Sequence, residues 1–132
     1  AIPSLDILAQ GVALRTTDMA ALLLAGRNRF AVQWYQPGKK GWEPRGELSV
    51  STAHDLVLNV SEPTFFAGEL NAENRQILAR RRKNVSMADP VECVRRPANL
   101  ARLGWEKWQA GQVEDPNLLS PIYLHVAGEI PA

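Results

Sequence analysis

The chain has 132 residues, 45% hydrophobic and 22% charged, with a formal net charge of +1. That allows one domain with a real core, and the near-neutral charge makes no case for a nucleic-acid or membrane surface. A single cysteine, Cys93, excludes an internal disulfide and fits a reducing compartment. No apolar run approaches the ~20 residues a membrane helix requires, and no basic-then-apolar signal segment opens the chain. The expected setting is the cytoplasm.

Ser4 is the predicted cap of a short helix through Leu5, Leu8 and Ala9, with Asp6 in its first turn and Gly11 near its end. Ala20 to Leu24 reads as a buried strand, Ala25-Gly26-Arg27-Asn28 as a turn. Phe30, Val32 and Trp34 then alternate with Ala31, Gln33 and Tyr35, which predicts a second strand with two distinct faces, closing a hairpin. Pro37 to Gly41 is a loop. Trp42 to Val50 is a third strand, and Pro44 points to an edge or an irregular start. Trp34 and Trp42, on either side of the loop, are expected to pack across it.

Ser51-Thr52 opens a short helix containing Leu56, Val57 and Leu58. Thr64 to Gly68 is dense and apolar, as a central strand is. Asn71 caps a predicted helix from Ala72 to Lys83. Asn84 to Met87 reads as a short strand. Pro97 suits the first turn of a strong helix that Gly111 stops. Leu118 onward is extended, with Pro121, Ile122, Tyr123 and Leu124 as the expected anchor of the tail and residues 126–132 as a disordered end. The order of elements predicts a single α/β domain over residues 1–132: a mixed sheet with flanking helices.

The chemistry-bearing residues are few. His54 and His125 are far apart in sequence, and no HExxH or comparable spacing accompanies them, so no catalytic metal triad is expected. Cys93 stands alone, and a small packed thiol is its ordinary role, although Arg95 and Arg96 nearby would favour a thiolate. No glycine-rich phosphate loop occurs. No cofactor is expected. Asp55, Glu62 and Glu69 fall near element ends, where carboxylates cap and solvate; acid–base work would need two of them to converge.

Two surface features stand apart. Arg80-Arg81-Arg82-Lys83 is the one dense basic run. At a helix C-terminus it complements the dipole; joined in space by Arg95 and Arg96 it would make a phosphate-contacting patch. No aromatic residues interrupt the run, so such a patch would read only backbone. Trp105 and Trp108 share one side of the last helix, which makes them core, rim or partner-contact residues.

Taken in order, Ile2-Pro3-Ser4-Leu5, Ala9-Gln10, the Leu22-to-Val32 hairpin with Arg27 in its turn, Phe65 to Gly68, the helix from Ala98 to Gly111, and Pro121-Ile122-Tyr123-Leu124 resemble the C-terminal half of bacterial TsaB (YeaZ) proteins. Ala25, Phe30 and His125 stand where that family has Asp, Glu and Arg. The resemblance implies the second lobe of an actin-like, RNase H-like (ASKHA) protein, cut from a longer chain. It also implies a role in tRNA threonylcarbamoyladenosine synthesis. There a TsaB-like subunit is a non-catalytic scaffold for the metal-bearing TsaD transferase, TsaE joins as an ATPase, and tRNA is met indirectly. The readings set against this one are a glycoprotease-like hydrolase and a small RNA-binding domain.

Overall fold

The computed structural model describes residues 1–80 and 83–124. One strand organises it. β1 (Met19–Leu24) carries the sequence MAALLL, and Met19, Ala20, Ala21 and Leu22 are all 0% exposed. A strand buried on both faces must be central, covered above and below. β2 (Arg29–Pro37) pairs with it antiparallel through a turn in which Gly26, Arg27 and Asn28 all have positive φ. β3 (Trp42–Thr52) pairs antiparallel with β2 and forms the sheet edge. There Pro44 costs no ladder bond on a second neighbour. β4 (Thr64–Gly68) and β5 (Val85–Met87) continue the other side in parallel. The sheet order is β3-β2-β1-β4-β5.

Strand alternation sorts the apolar residues into two cores. Met19, Ala21, Ala31, Tyr35, Trp42, Phe65 and Ala67 face α1 (Ser4–Gln10), which contributes Leu5, Leu8 and Ala9. Ala20, Leu22, Phe30, Val32 and Phe66 face α2 (Ala53–Leu58) and α3 (Ala72–Ala79), which contribute Ala53, Leu56, Ile77 and Leu78. Thr52 and Asn71 cap those two helices, accepting the amides of Asp55 at 3.2 Å and Asn74 at 2.8 Å. A 3-10 turn (Pro90–Cys93) leads to α4 (Pro97–Gln109), which Pro97 opens and Gly111, at φ +74°, follows. A second 3-10 turn spans Pro116–Leu118.

Several expectations change. The residue flanking α1 is Pro3, whose carbonyl takes the amides of Asp6 and Ile7; Ser4 is already helical and makes no cap. Trp34 and Trp42 do not pack together. They fall on opposite faces: Trp34 pairs with Arg45 and Trp42 with Pro37 in one continuous register, and an odd separation along a strand changes the face. Helix α3 stops at Ala79, short of the basic run. Leu78 is its last fully buried residue, and Arg80 after it is exposed. Among the described tail residues Leu124 packs against the α1-side core, while Pro121 is exposed and Ile122 and Tyr123 are 73% and 74% exposed. His125 and residues 126–132 lie outside the described residues.

Tyr123→Ala is therefore expected to change the stability of this chain by less than about 0.5 kcal/mol. Phe66→Ala, at 0% exposure, should remove about 3–5 kcal/mol. Chemical denaturation of the two variants checks the contrast.

The Tyr35 hydroxyl donates to the Asp6 carboxylate at 2.5 Å, tying β2 to α1. Burial, then that hydrogen bond and the carboxylate's charge, push its phenol far above the usual range. An unfolded tyrosine ionises near pH ~10. The folded chain then keeps a proton that the unfolded chain releases, so stability falls as pH rises past about 10, by up to about 1.4 kcal/mol per pH unit. Tyr35→Phe lacks this slope. Urea unfolding of both chains below and above that pH should show the difference between them change with pH; a constant difference would count against the linkage.

Candidate functional site

The parallel strands give the sheet two unlike ends. Ligands of open α/β sheets gather beyond the carboxyl ends of the strands, where strand order reverses. In this chain that position lies between β1 and β4, and it is filled. Gly68 has φ +143°, and a Cβ there would sit 1.9 Å from the Leu22 carbonyl oxygen. The chain runs on so close that the Glu69 amide donates to that oxygen at 3.1 Å. The Glu69 carboxylate then turns back, accepting the Leu24 amide at 3.3 Å and Arg95 at 2.9 Å. The Gly68 amide points at Cys93 Sγ, 3.3 Å away. Cys93 is half-buried against the α1-side core. These groups brace a sheet terminus; they leave no open cradle between the two strands.

The remaining candidates do not converge. Glu62 precedes β4 and Glu69 follows it. A strand of that length separates them by about 16 Å, too far for paired acid–base work. Asp55 and His54 sit exposed in the first turn of α2. Among the described residues no group of three or more His, Cys, Asp or Glu gathers to hold a metal.

Of the basic run, Arg80 and Lys83 are exposed, beside the amino end of β5; Arg81 and Arg82 lie outside the described residues. Arg95 is tied to Glu69 at the carboxyl end of β4, and Arg96 donates to the Val91 carbonyl at 3.4 Å. Arg80 and Lys83 thus lie at the opposite end of the sheet from Arg95 and Arg96, because the parallel pairing of β4 with β5 sets α3's exit and the residues after Cys93 a strand's length apart.

Two clefts open on the surface of the described residues. One, of about 520 Å³, opens at the amino ends of β1 and β4 between Thr16, Asp18, Trp34, Arg45, Ser61 and Glu62. Its strongest charges are already used: Arg45 pairs with Asp18 at 2.8 Å and lies 5.9 Å from the Trp34 ring centre. Sequence reasoning missed this cleft. Thr16-Thr17-Asp18 before a buried strand was its only trace, and the other wall comes from residues some forty positions later.

The second feature is α4. Trp105 and Trp108 share one side as expected, with ring centres 5.2 Å apart. They are 57% and 62% exposed, and α4 has no buried residue at all. The helix rests on α1, where Arg102 donates to the Gln10 side chain. A cleft of about 230 Å³ lies between it, Ala1, Ile2, Val113 and Leu119. This is the most distinctive surface of the chain, and it is apolar.

A mixed five-stranded sheet of order β3-β2-β1-β4-β5, with helices on both faces, makes this an α/β domain. No model of a known family matches the sequence, and no curated protein matches it. Solved structures do. A YeaZ chain from Pseudomonas aeruginosa matches with a TM-score of 0.65 at 19% identity, over 93% of this chain and 57% of its own. A second chain, described as an uncharacterized protein with similarity to peptidase YeaZ from Pseudomonas aeruginosa, matches with a TM-score of 0.65 and 19% identity over 94% and 57%. The chain therefore has the fold of YeaZ (TsaB) and spans little more than half the length of the solved chains it matches. Among the described residues no helix is long and apolar enough to cross a membrane.

Proposed function

We propose that this domain is the C-terminal lobe of a TsaB-like subunit and that it has no catalytic activity of its own. In this reading it is a cytoplasmic scaffold in tRNA threonylcarbamoyladenosine synthesis. Its partners are a TsaD-like transferase and a TsaE-like ATPase, and tRNA is engaged through them. The observation that carries the reading is the fold match to YeaZ over 94% of the chain. The order of short motifs, from Ile2-Pro3-Ser4-Leu5 to Pro121-Ile122-Tyr123-Leu124, agrees with it. The charged residues that an enzyme would commit to substrate serve here as braces, as Glu69 and Arg95 do. A hydrolase reading has no converged nucleophile, base or metal set to rest on among the described residues. An RNA-binding reading would have to work from the run Arg80 to Lys83 without Arg95 and Arg96.

The test uses the complete product of the gene that encodes this chain. It should co-purify with the TsaD-like protein of the same cell, and threonylcarbamoyladenosine formation in a reconstituted reaction should require it. The purified subunit alone should turn over neither peptide nor nucleotide substrates. Absence of association together with undiminished modification would overturn the proposal, as would substrate turnover by residues 1–132 alone.

A further inference from the structure

The cleft at the amino ends of β1 and β4 stands on rigid ground. The Phe65 amide donates to the Asp18 carbonyl at 3.1 Å, which locks the two strands side by side there. Thr64 is 7% exposed and spends its hydroxyl on the Glu62 carbonyl at 3.0 Å. Trp34 and Arg45 line the cleft as a cross-strand pair of β2 and β3, and the Arg45 carbonyl accepts the Gln33 side-chain amide at 3.3 Å. A volume of about 520 Å³ is that of a small-molecule site.

Charge narrows the ligand. Two carboxylates, Asp18 and Glu62, stand against one guanidinium, Arg45. Arg45 pairs with Asp18 at 2.8 Å, so an anion would meet a spent cation and an uncompensated Glu62. A cation would find the guanidinium already on Asp18 and 5.9 Å from the indole centre, and would have to displace it. A neutral ligand displaces nothing. The side chains of Asn59, Ser61 and Glu62 make no hydrogen bond or ion pair with any described residue, and the Arg45–Asp18 pair keeps further donors and acceptors. Donors, acceptors and a hydroxyl that serves as either lie beside one indole. That set matches a ring that carries many O–H groups and one apolar C–H face. Hydrogen bonds from its hydroxyls to charged groups belong to the strong class.

We propose that this cleft binds a neutral saccharide ring. Trp34 takes its C–H face, the Arg45–Asp18 pair and Glu62 take neighbouring hydroxyls, and Asn59 and Ser61 take others. The inference goes beyond the scaffold reading and does not rest on it. The ring can arrive as a free monosaccharide or as the terminal unit of a longer glycan.

Nuclear magnetic resonance of isotope-labelled residues 1–132 tests this. The chain is titrated with D-glucose, D-galactose, D-mannose and N-acetyl-D-glucosamine, each to about 50 mM. At least one should bind with a Kd of about 10 mM or tighter, shifting the Trp34 indole and the amides of Asp18, Asn59 and Ser61 while those of α4 stay still. The phosphorylated form of the bound sugar should bind at least about fivefold more weakly, and spermidine should not move these signals. Ser61→Trp, at an exposed position, fills the cleft and should abolish binding. Asp18→Asn should weaken it at least about fivefold. Both variants should keep the parent amide pattern away from the cleft. A disaccharide that binds more tightly than its monosaccharide assigns the site to a glycan end; equal or weaker binding assigns it to the free sugar. No shift at the cleft from any of these sugars overturns the proposal. So does a preference for the phosphorylated sugar or for spermidine, which would make it an ion site. Shifts centred on Trp105 and Trp108, or binding that survives Ser61→Trp, overturn it as well.

Discussion

Burial of β1 on both faces is the constraint from which the rest follows. A strand with four successive residues at 0% exposure needs a hydrogen-bonding neighbour on each edge and a helical layer on each face. β2 supplies one edge antiparallel and β4 the other in parallel. That change of direction at β1 separates a hairpin half of the sheet from a crossover half. It also fixes where Gly68 must pass: so near the Leu22 carbonyl that only a residue without a side chain fits. Glu69, Arg95 and Cys93 then close over the junction.

The same constraint explains the character of the surface. At the carboxyl end of β1 and β4, where an open sheet would receive a ligand, backbone and a carboxylate occupy the space. The α1 and α2/α3 layers complete the two cores. What remains without a counterpart is α4, held on α1 through Arg102 and Gln10 and leaving two tryptophans in water.

Much of this was legible in the sequence because local chemistry and tertiary fate agree. The Met19-to-Val32 region shows both the buried strand and the two-faced one, with a turn of small and positive-φ residues between them. Asn71 and Thr52 cap their helices because capping needs only the next three residues. The failures share a cause. Ser4 has a capping side chain but is already in helix, with Pro3 before it. The Arg80 run looked like the end of α3, yet the helix lasts only as long as Ile77 and Leu78 have a core to enter. Tyr123 and Ile122 looked like anchors, but it is Leu124 that meets the α1-side core and they face outward. Trp34 and Trp42 lie on opposite faces because Trp42 pairs with Pro37, an odd three positions from Trp34, and that register is set by the whole hairpin and not by a short window. Nor does a window reveal the cleft at Asp18 and Arg45, whose walls meet only in three dimensions.

The most direct test of the central constraint is the stability of Gly68→Ala by equilibrium urea unfolding. If the β1–β4 junction is as tight as the 1.9 Å approach to Leu22 requires, the methyl group and the positive φ together should remove more than about 3 kcal/mol. A loss below about 0.5 kcal/mol, within the range of ordinary surface changes, would contradict the account.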